Sequence, residues 1–155
     1  MKYLSHFFQF LTEEVQSYHF ELESDDPFLI KYKFEDVIGN KYLVEFKNIP
    51  IRKIDELSHV YELLYYVEDE GQYSVYKIVN VNPYRVLKTV FGDILNDFTK
   101  RCQWAKIIYF VGLAKETEKQ YVTSRTRIYK RYLDMNPVSG FRIQQSGNAI
   151  QLTRI

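Results

Sequence analysis

Five apolar side chains near the N-terminus recur with the spacing of one helix face. They are Leu4, Phe7, Phe8, Leu11 and Val15. Residues three and four positions apart lie on the same side of a helix, so this pattern predicts an amphipathic helix that ends near Gln16.

The period then changes from that of a helix to that of a strand. Tyr18, Phe20 and Leu22 alternate with polar residues, and residues 24–27 are predicted to form a turn. Further strands are predicted at residues 28–34, 42–46, 59–67 and 72–81, the last two as a hairpin across the acidic turn 68–71. Short turns join antiparallel neighbours, so the pattern predicts an antiparallel meander, with residues 50–57 irregular or a short helix.

A second helix is predicted to begin where Asn82 precedes Pro83. Asparagine is a good N-cap and proline is favoured at the first helical position. An apolar face continues along this helix through Leu87, Val90, Phe91, Ile94, Leu95 and Phe98. Lys100 and Arg101 follow in the last turn, where cations complement the helix dipole.

The last third of the chain predicts a strand, a helix and a hairpin. The continuous apolar run Ile107–Val111 is typical of an interior strand that is covered on both faces. Residues 124–133 predict a helix, and residues 141–145 and 149–153 predict a closing hairpin. The whole chain, residues 1–155, is therefore predicted to be one α+β domain with a mostly antiparallel sheet of about seven strands and three helices.

Composition agrees with a globular chain and narrows the chemistry. Apolar residues make up 46% and charged residues 26% of the sequence, and the single cysteine, Cys102, excludes an internal disulfide. The three histidines are scattered without ligand spacing, so no metal site and no cofactor is expected. Neither a signal peptide nor a run of 18 apolar residues is found, so we expect a protein that is not secreted and does not span a membrane.

Charge is distributed unevenly along the chain. Residues 1–77 contain 8 Lys and Arg against 15 Asp and Glu, whereas residues 78–155 contain 13 against 5. This asymmetry is typical of a basic binding face on an acidic body, and it equally fits halves that neutralise each other within one domain or between copies in an oligomer.

The predicted helix at residues 124–133 is the most basic segment. We expect binding residues there at Arg125, Arg127, Tyr129, Lys130 and Arg131. Arginine and tyrosine together bind phosphates, stack on bases or anchor protein interfaces. Arg85, at the start of the preceding helix, is a further candidate that offers a charge to an anion; a solvated helix surface that pairs with the acidic half is the alternative.

From Gln72 onward the order of elements resembles the closing half of the acetyl-CoA-dependent N-acetyltransferase fold. Ile128-Tyr129 and Gly140-Phe141 match a late pattern of that family. The resemblance implies Tyr129 as general acid, with Glu62 as the nearest candidate base. The segment that would hold the cofactor pyrophosphate, residues 79–85, contains no glycine, and Pro83 removes a backbone donor, which argues against acetyl-CoA binding.

Over roughly residues 42–154 the chain also resembles small uncharacterised proteins of tailed bacteriophages and related mobile elements. The resemblance rests on five segments: Val60-Tyr61-Glu62-Leu63, the stretch from Asn82-Pro83-Tyr84-Arg85 to Val90, Ser124-Arg125, Ile128-Tyr129 and Gly140-Phe141. It implies a viral or mobile-element origin, and with it a place in the host cytoplasm or in the virion.

A weaker pattern is that of metal-dependent nucleases. Asp36 followed by Glu45 and Lys47 has the order of carboxylates and lysine that such enzymes use to hold Mg²⁺ and stabilise a phosphate. The same alternation is found in any half-exposed strand.

These observations favour a non-enzymatic, phage-type accessory or virion-associated protein that works by contact with a viral or host protein. Nucleic-acid binding through the basic helix is the second hypothesis, and acetyl transfer is the third.

Overall fold

A computed structural model describes residues 16–74, 82–112 and 124–155. The predicted N-terminal helix and most of the predicted strand 72–81 lie outside the described residues. Within them, the chain forms one α+β arrangement with a mostly antiparallel sheet, as the sequence predicts.

Within these residues the sheet has eight strands. Their bounds are β1 Phe20–Asp26, β2 Leu29–Glu35, β3 Lys41–Asn48, β4 Val60–Asp69, β5 Gln72–Ser74, β6 Ile107–Val111, β7 Phe141–Ser146 and β8 Ala149–Arg154.

Two helices lie within the described residues. The first, α1, runs over residues 83–101 and has three continuous parts: an α-helical start at Pro83–Leu87, a π-helical middle at Lys88–Ile94 and an α-helical end at Leu95–Arg101. The second, α2, is Ser124–Met135.

The strands follow the order β1-β2-β3-β4-β6-β8-β7 across the sheet, and β5 pairs with the far end of β4. Every pair is antiparallel except β4 and β6, which run parallel over Val60–Glu62 and Ile107–Tyr109. The edge of β4 opposite β3 is thus divided, with β6 along its first residues and β5 along its last, Val67–Asp69.

Both helices pack against the same face of the sheet, which we call the helix face. Phe98 of α1 stacks on Phe46 of β3 at 3.9 Å between ring centroids. Phe91 of α1 lies 4.9 Å from Phe110 of β6 and 4.8 Å from Tyr129 of α2. The apolar face predicted for α1 is confirmed, since all six of its predicted residues are buried.

The opposite side of the sheet, which we call the second face, is only half buried. Ile108 and Phe110 point to the helix face and are buried, whereas Ile107 and Tyr109 are intermediate and Val111 is 47% exposed. The prediction that this strand is covered on both faces was therefore wrong. A continuous apolar run in the sequence reflects its central position between β4 and β8, not burial of both faces.

Two other local predictions need correction. The strand that begins near Phe20 continues to Asp26, with a register shift between Leu22 and Ser24, instead of ending at a turn from residue 24. Asn82 does precede α1, but in a left-handed conformation with φ of 44° and without a side-chain cap. Asparagine tolerates this conformation better than most residues, which accounts for its position.

Candidate protein-contact site

A rigid loop connects β3 to β4 at one end of the sheet. The side-chain amide of Asn48 donates to the carbonyl of Ser58 at 2.9 Å, and the Ser58 N–H donates to Asn48 Oδ1 at 3.0 Å. The Ser58 hydroxyl donates to the carbonyl of Ile49, and the Ile49 N–H donates to the carbonyl of Val60 at 2.9 Å. The two ends of the loop are therefore tied together, as in a compact Ω-loop.

This loop presents apolar side chains to solvent. Ile51, Ile54 and Leu57 are all exposed, Ile54 by 88%. Loop residues at the surface are usually polar, so three aliphatic side chains at intervals of three residues are an unusual feature.

Trp104, the single tryptophan of the chain, lies beside the loop and is 42% exposed. Its indole Nε1 donates a hydrogen bond to the hydroxyl of Tyr61 at 2.9 Å. Tyr61 is itself fully buried and donates to the carbonyl of Pro27 at 2.7 Å. Trp104 is thus held in place by its polar edge while a large part of its ring faces solvent.

We call Ile51, Ile54, Leu57 and Trp104 the Trp104 patch. A shallow depression of about 390 Å³ lies between Trp104, Ile51 and Leu57, and its rim includes Arg52, Glu56 and His59. An apolar centre with a charged and polar rim is the usual composition of a protein-contact surface. Tryptophan is enriched among the residues that dominate binding energy, and its fixed orientation reduces the entropy lost on binding.

The Trp104 patch was not among the predicted binding residues. Residues 50–57 were predicted only to be irregular or a short helix, and no role was predicted for Trp104. The available signal was the combination of three aliphatic residues in a predicted loop with the only tryptophan. What the sequence could not supply was their proximity, because Trp104 follows α1 and lies 47 residues beyond Leu57.

The structure divides the predicted basic site on α2 into three parts. Arg127 and Arg131 are exposed on the outer side of the helix. Lys130 binds Asp134 on its own helix, with both oxygen distances at 2.8 Å. Arg125 lies on the inner flank with Tyr129, where burial raises the pKa of Tyr129 and the charge of Arg125 partly opposes that rise.

The aromatic residues of α2 are therefore not available for stacking on a ligand. Tyr129 and Tyr132 are both buried, at 8% and 6% exposure. The expectation that Tyr129 joins Arg125, Arg127, Lys130 and Arg131 in one binding surface is not met by this geometry, because the helix turns its tyrosines toward the core. Only Arg127 and Arg131 remain as exposed cations of the set.

Arg85 lies on a different element and has a different environment. Its guanidinium carbon is 4.0 Å from the centre of the Tyr18 ring, and its carbonyl accepts a hydrogen bond from the hydroxyl of Thr89 at 2.8 Å. Thr89 in turn accepts from the backbone N–H of Tyr18 at 2.9 Å. These contacts hold the chain before β1 against α1.

The two residues implied by the acetyltransferase resemblance lie on opposite sides of the sheet. Glu62 alternates with the buried Tyr61 and Leu63, so it points to the second face, where it hydrogen-bonds to Tyr109. Burial and this bond to Glu62 raise the pKa of Tyr109 to about 12. Tyr129 packs on the helix face against Phe91 and Phe110. A proton cannot pass directly between Glu62 and a substrate that is in contact with Tyr129.

Asp36 and Glu45, the carboxylates of the nuclease pattern, interact with other protein groups. Asp36 accepts hydrogen bonds from the backbone of Ile38 and Asn40, from the Asn40 side chain and from the Tyr42 hydroxyl. Glu45 lies 3.6 Å from Lys31 on the second face. Across residues 16–74, 82–112 and 124–155, no group of three His, Cys, Asp or Glu side chains is arranged to hold a metal ion.

None of the helices in the described part of the chain is both long and apolar enough to cross a membrane. Comparisons of the chain with protein-family models, with curated proteins and with solved structures found no match.

Proposed function

We propose that this protein is a non-enzymatic contact protein that binds another protein through the Trp104 patch. The observation that carries the proposal is the exposure of Trp104, Ile51, Ile54 and Leu57 on a loop whose base is closed by Asn48 and Ser58. An exposed apolar cluster costs solubility, and a rigid one with a tryptophan at its centre is suited to bury against a partner.

The origin and setting of this function rest on the resemblance to phage proteins. We propose an accessory or virion-associated role in a tailed bacteriophage or related element, with a viral or host protein as the partner. The partner would be found by purifying the tagged protein from infected cells or from particles and identifying what co-purifies.

The test of the proposal compares two single substitutions in that purification. Ile54→Asp places a charge on the loop of the Trp104 patch, at a residue that is 88% exposed and contributes little to folding. Ile38→Asp is the matched control, because Ile38 is 68% exposed in the β2–β3 turn at the other end of the sheet. We expect Ile54→Asp to lose the partner and Ile38→Asp to retain it.

The binding of the identified partner should then be measured with purified proteins. A hot-spot residue contributes about 2 kcal/mol or more, so Trp104→Ala should weaken binding by about thirtyfold or more. Equal retention of the partner by Ile54→Asp and Ile38→Asp would refute the assignment of the patch.

We further propose that the second half of the chain is acetyltransferase-like in architecture without the enzymatic activity. The element order β5, α1, β6, α2, β7 and β8 supports the likeness. The positions of Glu62 and Tyr129 on opposite faces argue against the activity, as does β5, which covers part of the β4 edge. Acetyl-CoA should therefore give no thermal shift, whereas a ligand at 100 times its Kd would add about 2.7 kcal/mol of stability.

Nucleic-acid binding remains the second candidate because Arg127 and Arg131 are exposed four residues apart on one side of α2. Since Tyr129 and Tyr132 are buried, the described part of this surface offers phosphate contacts but no tyrosine on which a base could stack. We expect no sub-micromolar binding of duplex or single-stranded DNA at physiological salt. Such binding, with a steep salt dependence that Arg127→Ala reduces by about one phosphate contact, would reverse this ranking.

A further inference from the structure

The charge asymmetry along the sequence becomes an asymmetry across the sheet. The strand order places β1 and β2, from the acidic half of the chain, at one edge, and β8 and β7, from the basic half, at the other. β1 and β2 contain five carboxylates against two lysines. α2, β7 and β8 contain six cationic side chains against one carboxylate.

The acidic edge is formed by the outermost strand, β1. Its four carboxylates, Glu21, Glu23, Asp25 and Asp26, are all exposed. Lys33 lies 2.6 Å from Glu23, and Arg101 lies 3.4 Å from Asp25. Because the strand has more carboxylates than these two cations neutralise, the edge as a whole remains negative.

The basic edge is formed by α2 and β7. Arg127 and Arg131 are exposed on the helix, and Arg142 is exposed on the strand. α2 contacts β7 and β8 from the helix face, whereas Arg142 alternates with the buried Phe141 and therefore points to the second face of the same edge. Asp134, the single carboxylate within the described strands and helix of this edge, is bound by Lys130.

We infer that two copies of this chain associate head to tail, with the acidic β1 edge of one copy against the basic α2 and β7 edge of the next. Pairing of two β1 edges, or of two α2 surfaces, would bring like charges together and is disfavoured. A heterologous contact avoids this, and it leaves one edge free at each end for further copies. This contact is separate from the Trp104 patch and does not depend on the function proposed for it.

The first measurement is sedimentation velocity of the purified full chain over a range of concentrations. Exposed charges are screened over about 10 Å at 0.1 M salt and about 3 Å at 1 M. We therefore expect the sedimentation coefficient to rise with concentration in about 30 mM salt, and the association constant to fall at least tenfold in about 500 mM salt. Absence of association at low salt, or association that salt does not weaken, would overturn the inference.

The second measurement exchanges the charges. One variant carries Glu21→Lys with Glu23→Lys, and the other carries Arg127→Glu with Arg131→Glu. Each variant alone loses the charge contrast between its two edges, so its self-association should fall at least about tenfold. An equimolar mixture restores opposite edges and should associate as the wild type does; a mixture that stays monomeric contradicts a head-to-tail contact.

A matched control carries Asp55→Lys, on the β3–β4 loop, with Glu70→Lys, in the β4–β5 turn; both residues are exposed and lie outside the two edges, so this variant should self-associate normally. Circular dichroism establishes whether each variant is folded. Where a charge-reversal variant is not folded, glutamine is placed at the same positions instead of the opposite charge. A wild type that stays monomeric but binds duplex DNA with sub-micromolar affinity, lost on changing Arg127 and Arg131, would assign the basic edge to nucleic acid and refute self-association.

Discussion

The indole Nε1 of Trp104 donates a hydrogen bond to the hydroxyl of Tyr61, at 2.9 Å. Tyr61 is buried at the start of β4, and its hydroxyl donates a hydrogen bond to the carbonyl of Pro27, in the turn between β1 and β2. Three segments distant in sequence thus meet at one end of the sheet, and the exposed ring of Trp104 has a fixed orientation because of it.

Removal of the Tyr61 hydroxyl should release Trp104. In Tyr61→Phe the indole N–H loses its acceptor and the Pro27 carbonyl loses its donor, so we expect the free energy of unfolding to fall by about 1 to 2 kcal/mol. Since Trp104 is the only tryptophan, its fluorescence reports the change directly, as a red shift and a lower anisotropy. Tyr73→Phe, at an exposed tyrosine on β5, is the control and should leave the emission unchanged.

The core residues could be predicted from the sequence because they recur with the period of a helix or a strand. The apolar residues of α1 and the alternating residues of β2 and β3 repeat with the spacing that burial of one face requires. The π-helical middle of α1 was not predictable, since both helix types place Val90, Phe91 and Ile94 on the buried side. The Tyr132 hydroxyl of α2 approaches this segment closely and would lie 3.0 Å from a Cβ added at Gly92.

Only part of the candidate site could be predicted from the sequence. Alternation of Tyr61, Glu62 and Leu63 already indicates that Glu62 points away from the core. That Tyr129 lies on the other side of the sheet depends on which face α2 covers, and no local pattern determines this. The same holds for Trp104, whose position beside Leu57 is set by the parallel pairing of β4 with β6.

Phe91→Ala tests the assignment of the helix face. Phe91 is 2% exposed and contacts Phe110 and Tyr129. Loss of the ring should reduce the free energy of unfolding by about 3 to 5 kcal/mol, measured by chemical denaturation. Asn96→Ala, at an exposed position of the same helix, should cost far less, and equal stabilities of the two variants would show that the helix is rotated.

Gly112 should not tolerate a side chain. A Cβ at this position would lie 2.7 Å from the backbone N and 2.8 Å from the Cα of Thr126, at the start of α2. We expect Gly112→Ala to destabilise the fold by about 1 to 3 kcal/mol because α2 must shift away from the end of β6. The Thr126 hydroxyl oxygen is nearer still, but the backbone atoms obstruct the Cβ without it, so the addition of Thr126→Ala should not restore the melting temperature. Full recovery would place the strain in the threonine side chain alone.

Acid should weaken the turn between β2 and β3. Burial alone would raise the pKa of Asp36, but hydrogen bonds from Asn40, Tyr42 and Ile38 outweigh it and hold the pKa below its ordinary value. The stabilisation is therefore complete above the unfolded-state pKa of about 3.9 and is lost as the pH falls through the lower folded-state pKa. Asp36→Asn should be less stable than the wild type at pH 7, and the difference should shrink below about pH 4. A difference that is constant with pH would exclude the charge of Asp36 as the cause.

Cys102 should be unreactive while the protein is folded. The residue is fully buried at the end of α1, and this burial, reinforced by the negative charge of Asp25, raises the pKa of its thiol to about 11. Only the thiolate attacks alkylating reagents, and at neutral pH its fraction is then far below that of a free cysteine with a pKa of about 8.5. Iodoacetamide should therefore modify Cys102 only in the small unfolded population. Alkylation followed by mass spectrometry should accelerate in Tyr61→Phe by the factor by which that population rises, about 5 to 30 for a loss of about 1 to 2 kcal/mol. Rapid modification of the wild type under native conditions would mean that the Trp104 end of the sheet opens far more readily than its hydrogen bonds imply.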